Sequence, residues 1–438
     1  MGGREEGDSQ RGSHQAHTFD AAWERQLHPS LGLRVAFGYG DSEGRGFPDD
    51  SGGPRYAVLR TLDRREATTR QFSLQGTHRP GIGTLELQWS RFARHGTDDS
   101  PGVAAGLRDP VGLPALAAHT DYRRDELQAT WQRPLGASGE LGAGILRQHE
   151  RGHYGGLVDY GFLQWPVAFA MQRDTGAAFA ELRWRLGPWT AQAGLRHERR
   201  HDAGVDAGDA TAPMLSLQRR VGADGAHWGA SLSHSSKAPS FYALGHPLVG
   251  NPGLRAERGQ LWEMYYDTGE RAPWTGRITL FGAGYRDLVD FDDGPPPQLV
   301  NRARIGTRGL EWRAGRRFGN GWRLALDGTW MQLRERPDEA PLRHRPRLQA
   351  SAGLVLPLDP RHQLSLGLRH LGRRYDSAIP TGGRWLAGAT ALDLALRRQW
   401  GRGSILLALD DVANARAGEV IGLETHGRRL RLSWEWSL

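Results

Sequence analysis

The sequence of 438 residues contains no cysteine and a single lysine, Lys237. The lack of cysteine excludes disulfide bonds, thiolate metal sites and cysteine nucleophiles. No run of about 18 apolar residues occurs, which excludes a transmembrane helix. The N-terminal residues 1–15 lack the apolar core of a signal peptide. The chain also lacks a glycine-rich phosphate loop and the Gly-x-Ser-x-Gly elbow of hydrolases. We therefore predict that the protein is not an enzyme and has no cofactor.

Positive charge is abundant but spread along the chain. The formal net charge is +8 and the isoelectric point is about 10.1. Arginines usually lie one residue from an apolar neighbour, as in the stretches LRWRL and WRLAL. A nucleic-acid-binding protein instead concentrates its basic residues in a patch or on one helix. The sequence therefore predicts no nucleic-acid partner and favours arginine on the polar face of many strands.

The end of the chain alternates strictly between apolar and polar residues. One face of this segment carries Leu430, Leu432, Trp434, Trp436 and Leu438. The other face carries Arg429, Arg431, Ser433, Glu435 and Ser437. The same alternation recurs in TLELQWS, ELRWRL, HQLSLGLRH and ALDLALR, while the helical spacing of apolar residues is rare. A period of two residues is typical of a strand with one apolar face, so we predict an all-β chain.

The connections between these strands alternate in length. Short turns are expected at 187–189, 222–225, 319–321, 357–360 and 401–403. Long polar loops are expected at 201–210, 236–256, 291–299, 334–344, 372–387 and 412–427. This alternation is typical of a transmembrane antiparallel up-and-down β-barrel, with periplasmic turns on one rim and extracellular loops on the other. The apolar face would then contact lipid, and the expected location is the bacterial outer membrane.

The pattern indicates about 19 strands, of a probable 22. Residues 1–16 are expected to be a polar segment, either a remnant of an extracellular loop or disordered, and residues 17–438 to form the barrel. The odd count would make the first strand run toward the periplasm, whereas bacterial barrels have even strand numbers. We therefore expect the barrel to be truncated at its N-terminus.

Residues 235–263 carry the motif that identifies a family. They read SSKAPSFYALGHPLVGNPGLRAERGQLWE and resemble the segment of TonB-dependent outer-membrane receptors with an Ala-Pro-Ser/Thr-Phe element followed by Gly-Asn-Pro-x-Leu-Lys-Pro-Glu. The matching positions are Ala238, Pro239, Ser240, Phe241, Gly250, Asn251, Pro252, Leu254, Glu257 and Glu263. Arg255 replaces the usual lysine and Ala256 the usual proline. Weaker family elements follow at VNRARIGTRGLEW, RPRLQ, DDVANAR and GRRLRL, so the resemblance covers roughly residues 230–438.

The resemblance implies energy-coupled uptake of a scarce nutrient such as a ferric siderophore, haem or cobalamin. Receptors of this family carry a plug domain and a TonB-contact segment before the barrel, and neither is recognisable in this chain. The TonB complex is thus expected as a partner of a full-length form only. Other expected partners are outer-membrane lipid, lipopolysaccharide, the barrel-assembly machinery through the C-terminal strand, and a small-molecule ligand. The alternative function is a plugless porin or specific diffusion channel.

The family segment also supplies the candidate ligand site. We expect Phe241, Tyr242, His246 and Asn251 to contribute to ligand binding from an extracellular loop, although these residues could simply brace that loop. Haem receptors of the family often have a haem-ligating histidine in this loop, which makes His246 a haem candidate. A solvated loop histidine is the alternative.

Two other groups of charged residues could have a function. Asp290, Asp292 and Asp293 supply the hard oxygen ligands that calcium prefers, although EF-hand spacing is absent and an acidic solvated loop is the alternative. Arginines are expected to face the barrel interior at positions 183, 185, 196, 313, 317, 323, 369 and 397. Acidic residues at 86, 181, 311, 327 and 393 are expected on the same face. A positive interior would favour anionic solutes, but these acids leave the net selectivity open.

Overall fold

The protein is a single large antiparallel β-sheet, seen in a computed structural model that describes residues 2–9, 12–202, 208–222, 224–270, 272–292, 298–335, 341–425 and 427–436. The strands are, in chain order, β1 Gly2–Ser9, β2 Gly12–His28, β3 Leu31–Gly46, β4 Asp63–His78, β5 Thr84–Ser100, β6 Ala115–Leu135, β7 Gly139–Asp159, β8 Gln164–Leu186, β9 Trp189–Asp202, β10 Ala210–Arg220, β11 His227–Lys237, β12 Glu257–Asp267, β13 Thr275–Asp292, β14 Gln298–Arg317, β15 Arg323–Arg334, β16 Leu348–Pro357, β17 His362–Leu371, β18 Arg374–Ala378, β19 Gly382–Leu386, β20 Ala389–Trp400, β21 Gly403–Asp410, β22 Gly418–Val420, β23 Leu423–Glu424 and β24 Arg429–Trp436. Two short helices are α1 Gly53–Tyr56 and α2 Phe241–Gly245. Among the described residues, no helix is long and apolar enough to cross a membrane.

Each sheet strand pairs with the next one along the chain. Twenty strands belong to this sheet, while β18–β19 and β22–β23 form two separate hairpins within loops. The predicted alternation of faces is confirmed, because register pairs connect apolar residues to apolar residues from strand to strand. Leu407 lies opposite Leu432, and Trp262 lies opposite Leu232. The side chains on this face remain exposed, and Leu432 and Trp434 keep 74% and 73% of their surface accessible. Such a large exposed apolar belt marks a membrane-facing surface.

The connections follow the predicted order of lengths. The short turns lie between β8 and β9, between β14 and β15, and between β20 and β21, where the sequence predicted them. The long connections at 47–62, 101–114, 238–256 and 372–388 all lie at the opposite end of the sheet. That end is the extracellular rim of an outer-membrane barrel.

The strand count and the start of the sheet differ from the sequence-based expectation. The sheet has 20 strands rather than about 19. Residues 1–16 were expected to lie outside the barrel, yet β1 spans Gly2–Ser9 and β2 already begins at Gly12. Their register pairs Ser9 with Gly12. The polar composition of this stretch hid it, because an extension of a strand beyond the lipid belt needs no apolar face.

The two edges of the sheet are β1 and β24. In the described part of the chain, β24 pairs with β21 and no pairing with β1 is present. A closed outer-membrane barrel requires the last strand to pair with the first, and for this chain that closure stays a prediction.

The extracellular loops near this seam are joined by a buried carboxylate. Asp376 in β18 is 1% exposed and accepts hydrogen bonds from Arg343, His344, Ser377 and the backbone of Ile421 at distances from 2.7 to 3.0 Å. These residues belong to three different loops. A carboxylate that accepts several hydrogen bonds in a buried site is a strong structural anchor.

A second carboxylate extends the connection to the loops of the first strands. Asp50 accepts from Arg343 at 2.7 Å and from Arg108 at 2.9 Å. Burial would raise the pKa of Asp50, but the hydrogen bonds from Arg108 and Arg343 outweigh burial and hold this pKa below its usual value. We call the joined loops, within 47–62, 101–114, 335–347, 372–388 and 411–428, the loop cap. It holds the rims of the first and last strands together.

We predict that the direction of the C-terminal strand can be tested by two arginine substitutions. Trp434→Arg near the middle of the bilayer should destabilise the folded chain by about 2–4 kcal/mol, because the charge would face lipid. Ser433→Arg should have little effect, because position 433 faces the lumen. The stability of each variant is measured by following heat-modifiable migration on gels over a series of urea concentrations. Equal losses for the two variants would contradict the assigned faces.

We also predict that Asp376→Ala loosens the loop cap. Four hydrogen-bond donors lose a shared acceptor. The free energy that keeps the loops of the cap associated should therefore fall by about 3 kcal/mol. Trypsin added to intact cells should then cleave within the extracellular loops much faster than in the wild type. The matched control is Asp359→Ala, in a turn at the periplasmic rim where external trypsin cannot reach. Unchanged cleavage of the Asp376 variant would show that the loops stay associated without the hydrogen bonds of Asp376.

Candidate functional site

The loop at 238–256, which we call the inner loop, is folded against the inside of the barrel wall. Ser240 starts helix α2, since its hydroxyl oxygen accepts a hydrogen bond from the Ala243 backbone at 3.1 Å. Ala243 and Leu244 are both 4% exposed and pack with Met171 of β8. Met171 lies on the inward face of β8 by register. The loop therefore turns into the extracellular mouth of the lumen instead of projecting into water.

A buried ion pair anchors the start of the inner loop. Arg173 of β8 makes two hydrogen bonds to Asp202 of β9, at 2.7 and 2.5 Å. The same guanidinium donates to the Pro239 carbonyl oxygen at 3.0 Å and lies 5.1 Å from the Phe241 ring centroid. Arg173 is 7% and Asp202 1% exposed. Removing either partner would leave an uncompensated buried charge, so the pair fixes the loop in place.

The far end of the inner loop is attached to β14. The Asn251 amide donates to the Leu299 carbonyl at 3.0 Å, and its oxygen accepts from the Gly253 backbone at 2.9 Å. The Asn301 side chain makes both a donor and an acceptor hydrogen bond with the backbone of Arg255. These bonds use the polar groups of Asn251 within the protein. The structure thus gives Asn251 a role in shaping the loop.

His246 is buried beneath the same loop. It is 7% exposed, and its Nδ1 accepts hydrogen bonds from the backbones of Leu248 and Val249 at 3.3 and 3.4 Å. Because Nδ1 acts as an acceptor, the neutral ring carries its proton on Nε2. Burial lowers the pKa of His246, which also favours the neutral form. A haem iron would need the lone pair of Nε2, so this arrangement favours a bracing role for His246.

Tyr242 is the predicted site residue that faces the lumen most openly. It is 47% exposed, and its ring centroid lies 4.6 Å from that of His246 and 6.2 Å from that of Tyr154. Burial of its inner part, together with the carboxylate of Asp98, raises the pKa of Tyr242 above its ordinary value. Phe241 is half-buried beside Arg173. The four predicted residues are thus brought together in one folded loop, with different roles.

Tyr154 is a site residue that the sequence did not reveal. It lies on the inward face of β7 and stacks on Phe169 of β8 at 5.2 Å. Its ring also meets the edge of His246 at 5.3 Å. Continuing the alternation of β7 past its lipid-facing residues would have placed Tyr154 on the inner face.

The acidic candidates lie mostly outside the described part of the chain, so the calcium site stays a prediction. Asp290 forms an ion pair with Arg302. The side chain of Asp292 and the whole of Asp293 lie outside the described residues. Among described residues, no group of three or more histidine, aspartate or glutamate side chains could hold a metal ion.

The lumen is lined by some of the charged residues expected there. A cavity of about 920 Å³ contacts Glu311, Arg313, Asp327 and Arg369, among others. Arg369 is paired with Asp393 at 2.8 Å. A water-accessible interior with paired charges of both signs can hydrate a polar solute or contact a polar protein surface, and it does not select for anions alone.

Solved structures with the same fold are outer-membrane transporters and receptors. The copper transporter OprC is 14% identical, with a TM-score of 0.78, over 99% of this chain and 73% of that chain. The ferric yersiniabactin uptake receptor FyuA from Yersinia pestis is 15% identical, with a TM-score of 0.74, over 96% of this chain and 69% of that one. The ferripyoverdine receptor of Pseudomonas aeruginosa, bound to ferripyoverdine, is 15% identical, with a TM-score of 0.78, over 97% of this chain and 65% of that one. No curated protein matches this sequence.

The family comparison covers nearly the whole chain. The family model described as "TonB dependent receptor-like, beta-barrel" matches residues 3–414. This range includes the inner loop and both anchors described above. The chain therefore belongs to the TonB-dependent receptors of the bacterial outer membrane and forms the β-barrel of such a transport receptor.

Proposed function

We propose that this barrel takes up a metal chelate of the ferric siderophore type and that the inner loop forms part of its ligand site. The observation that carries the proposal is the half-exposed ring of Tyr242, held at the extracellular mouth of the lumen by a buried scaffold. Structural neighbours include receptors described for ferric yersiniabactin and ferripyoverdine, and one described as a copper transporter. A metal is the cargo that these three descriptions share, and two of them name it as a ferric chelate.

The inner loop suits ligand binding because it is already ordered. Its two ends are attached through Arg173 and Asn301, and its centre packs on Met171 and Leu254. A preformed surface loses little conformational entropy when a ligand binds. An aromatic ring with one exposed face offers a broad apolar contact for a chelate, whose outer surface is largely organic.

Uptake through this lumen would depend on the TonB complex and on a plug domain in a full-length form of the receptor. The paired charges that line the cavity suit contact with a polar folded domain. The alternative is a diffusion channel, in which the same cavity stays open to ions. Planar-bilayer recordings distinguish the two, because a channel gives steady conductance without energy coupling.

We predict that Tyr242→Ala weakens chelate binding about tenfold, because one aromatic contact contributes roughly 1–1.5 kcal/mol. The measurement is concentration-dependent uptake of radiolabelled ferric siderophores by cells of the source bacterium. A parallel series with labelled copper chelates assigns the metal.

The matched control for this test is Tyr266→Ala. Tyr266 is also 47% exposed, but it lies on the lipid-facing side of β12. Its removal should leave uptake unchanged. If both variants transport like the wild type, the inner loop is not part of the ligand site.

We predict that the inner loop opens as the pH falls below about 6.5, the ordinary pKa of histidine. Burial lowers the pKa of His246 in the closed loop, so an open loop binds the proton more readily. Above that pH both forms are neutral and the group has no effect. Because the chain has no cysteine, Ala243→Cys, at a buried position, reports opening through thiol labelling.

The control for the labelling experiment is Leu107→Cys, in a loop position that is 82% exposed. The ratio of the two labelling rates removes the pH dependence of the thiol itself. This ratio should rise toward acid pH, and it should stay constant when His246→Gln is added. A constant ratio in the presence of the native histidine would exclude a role for its protonation.

A further inference from the structure

Asp98 of β5 places a carboxylate at the extracellular mouth of the lumen. Along β5, Asp98 is an odd number of residues from Leu87, which is exposed on the lipid-facing side, and the pairing shows no register shift. Successive side chains of a strand alternate between faces, so Asp98 points inward. It lies opposite Ala118 of β6, which packs with Tyr154 and with Leu248 of the inner loop. Asp98 therefore neighbours the wall that supports the inner loop.

One oxygen of the Asp98 carboxylate is buried without a hydrogen bond. Among the described residues, no donor lies within hydrogen-bond distance of its Oδ1, and the nearest cationic nitrogen, Nε of Arg65, is 3.7 Å away. The side chain as a whole keeps 42% of its surface accessible, so a ligand in the mouth can reach the carboxylate. Buried polar atoms without partners are uncommon in folded proteins, and binding sites are one place where they occur.

Arg65 does not neutralise the carboxylates that surround it. Its Nη2 lies 3.1 Å from an oxygen of Asp63 and 3.2 Å from one of Asp49, so that, with Asp98, one guanidinium faces three carboxylates. Asp63 is 5% exposed, and its Oδ1 also lacks a hydrogen-bond partner in the described part of the chain. Burial raises the pKa of Asp63 and of Asp98, and the charge of Asp49 raises both further. This part of the mouth is thus short of positive charge and of hydrogen-bond donors.

Two tyrosine rings lie beside this negative charge. Burial raises the pKa of Tyr154 and of Tyr242, and the carboxylate of Asp98 adds to both shifts, so its charge acts on both phenol groups. The two rings meet edge to face, with centroids 6.2 Å apart. The faces of aromatic rings attract ammonium and guanidinium ions. A carboxylate next to two aromatic rings has the chemistry of a site for an organic cation.

We propose that Asp98 binds a protonated amine carried by the transported chelate, while Tyr242 contacts the organic surface of the same molecule. A primary ammonium group has three N–H donors and one positive charge, which are the two things that the carboxylates around Arg65 lack. A chelate with a net negative charge would instead be repelled by Asp98 and Asp63. This inference rests on the proposed function, because it names the class of chelate that the same site selects.

The test compares two ferric chelates that differ at a single nitrogen. Both are linear trihydroxamates; one ends in a primary amine, and in the other this amine is acetylated. The purified full chain in detergent is brought to equilibrium by dialysis against each chelate, labelled with radioactive iron. The wild type should bind the amine form about tenfold more tightly, because a hydrogen bond between charged groups contributes more than one between a charged and a neutral group.

Three variants assign the preference to Asp98. Asp98→Asn keeps the shape of the side chain and removes its charge, so the two chelates should bind with equal affinity. Asp98→Glu keeps the charge and should retain part of the preference. The matched control is Asp99→Asn, because Asp99 is the next residue of β5 and points to the outer face; it should keep the tenfold preference. Thermal unfolding checks that each variant is folded, and the wild-type comparison stands without the variants.

The possible failures of this inference and of the proposed function give different results. Equal binding of the two chelates by the wild type, or a preference that survives in Asp98→Asn, would overturn the inference and leave the proposed function intact. A wild type that binds neither chelate would overturn both. Calcium chloride that displaces the amine chelate but not the acetylated one would assign the carboxylates to an inorganic cation and also overturn the inference.

Discussion

Backbone hydrogen bonding in a medium without water is the constraint on which the rest of this structure depends. An unpaired amide or carbonyl costs several kcal/mol in hydrocarbon, so every spanning strand must have neighbours on both sides. Among the described residues, every strand of the sheet except its two edges, β1 and β24, meets this need, because each of the 20 strands pairs with the next along the sheet. The apolar outer face and the polar inner face then follow from the period of two residues. Arginine is compatible with such a chain because it occupies the inner face and the rims.

The extracellular loops are held together by buried charged groups, whereas the membrane-spanning strands are held together by backbone hydrogen bonds. Asp376 gathers donors from three loops, and Asp202 positions the guanidinium that holds Pro239. Both carboxylates are 1% exposed. A buried carboxylate is tolerated because its hydrogen bonds replace those with water. These two hubs convert long polar loops, which would otherwise be mobile, into an ordered mouth around the lumen.

The two faces of the same strands differ in chemical character. On the inner face of β7 and β8, Tyr154 and Met171 contact the inner loop. On the outer face of β6 and β7, Arg123 and Arg151 lie opposite each other. Because neighbouring residues of a strand point to opposite faces, each face can change by substitution without altering the other. The height along the strand decides the character of the outer face, which is apolar in the lipid belt and basic above it.

The sequence by itself determined the fold class, the two faces and the end at which the long loops lie. These features are local, because alternation and turn composition can be read from neighbouring residues. It also placed Glu311, Arg313, Asp327 and Arg369 on the inner face, and the cavity lining confirms this. It missed the first strand, since a polar strand beyond the lipid belt has no apolar period. The tertiary structure alone decided that the inner loop folds into the mouth, that His246 and Asn251 are occupied within it, and that Tyr242 remains open to the lumen. Those outcomes depend on contacts such as the one between Arg173 and Pro239, which are far apart in the chain and leave no local pattern.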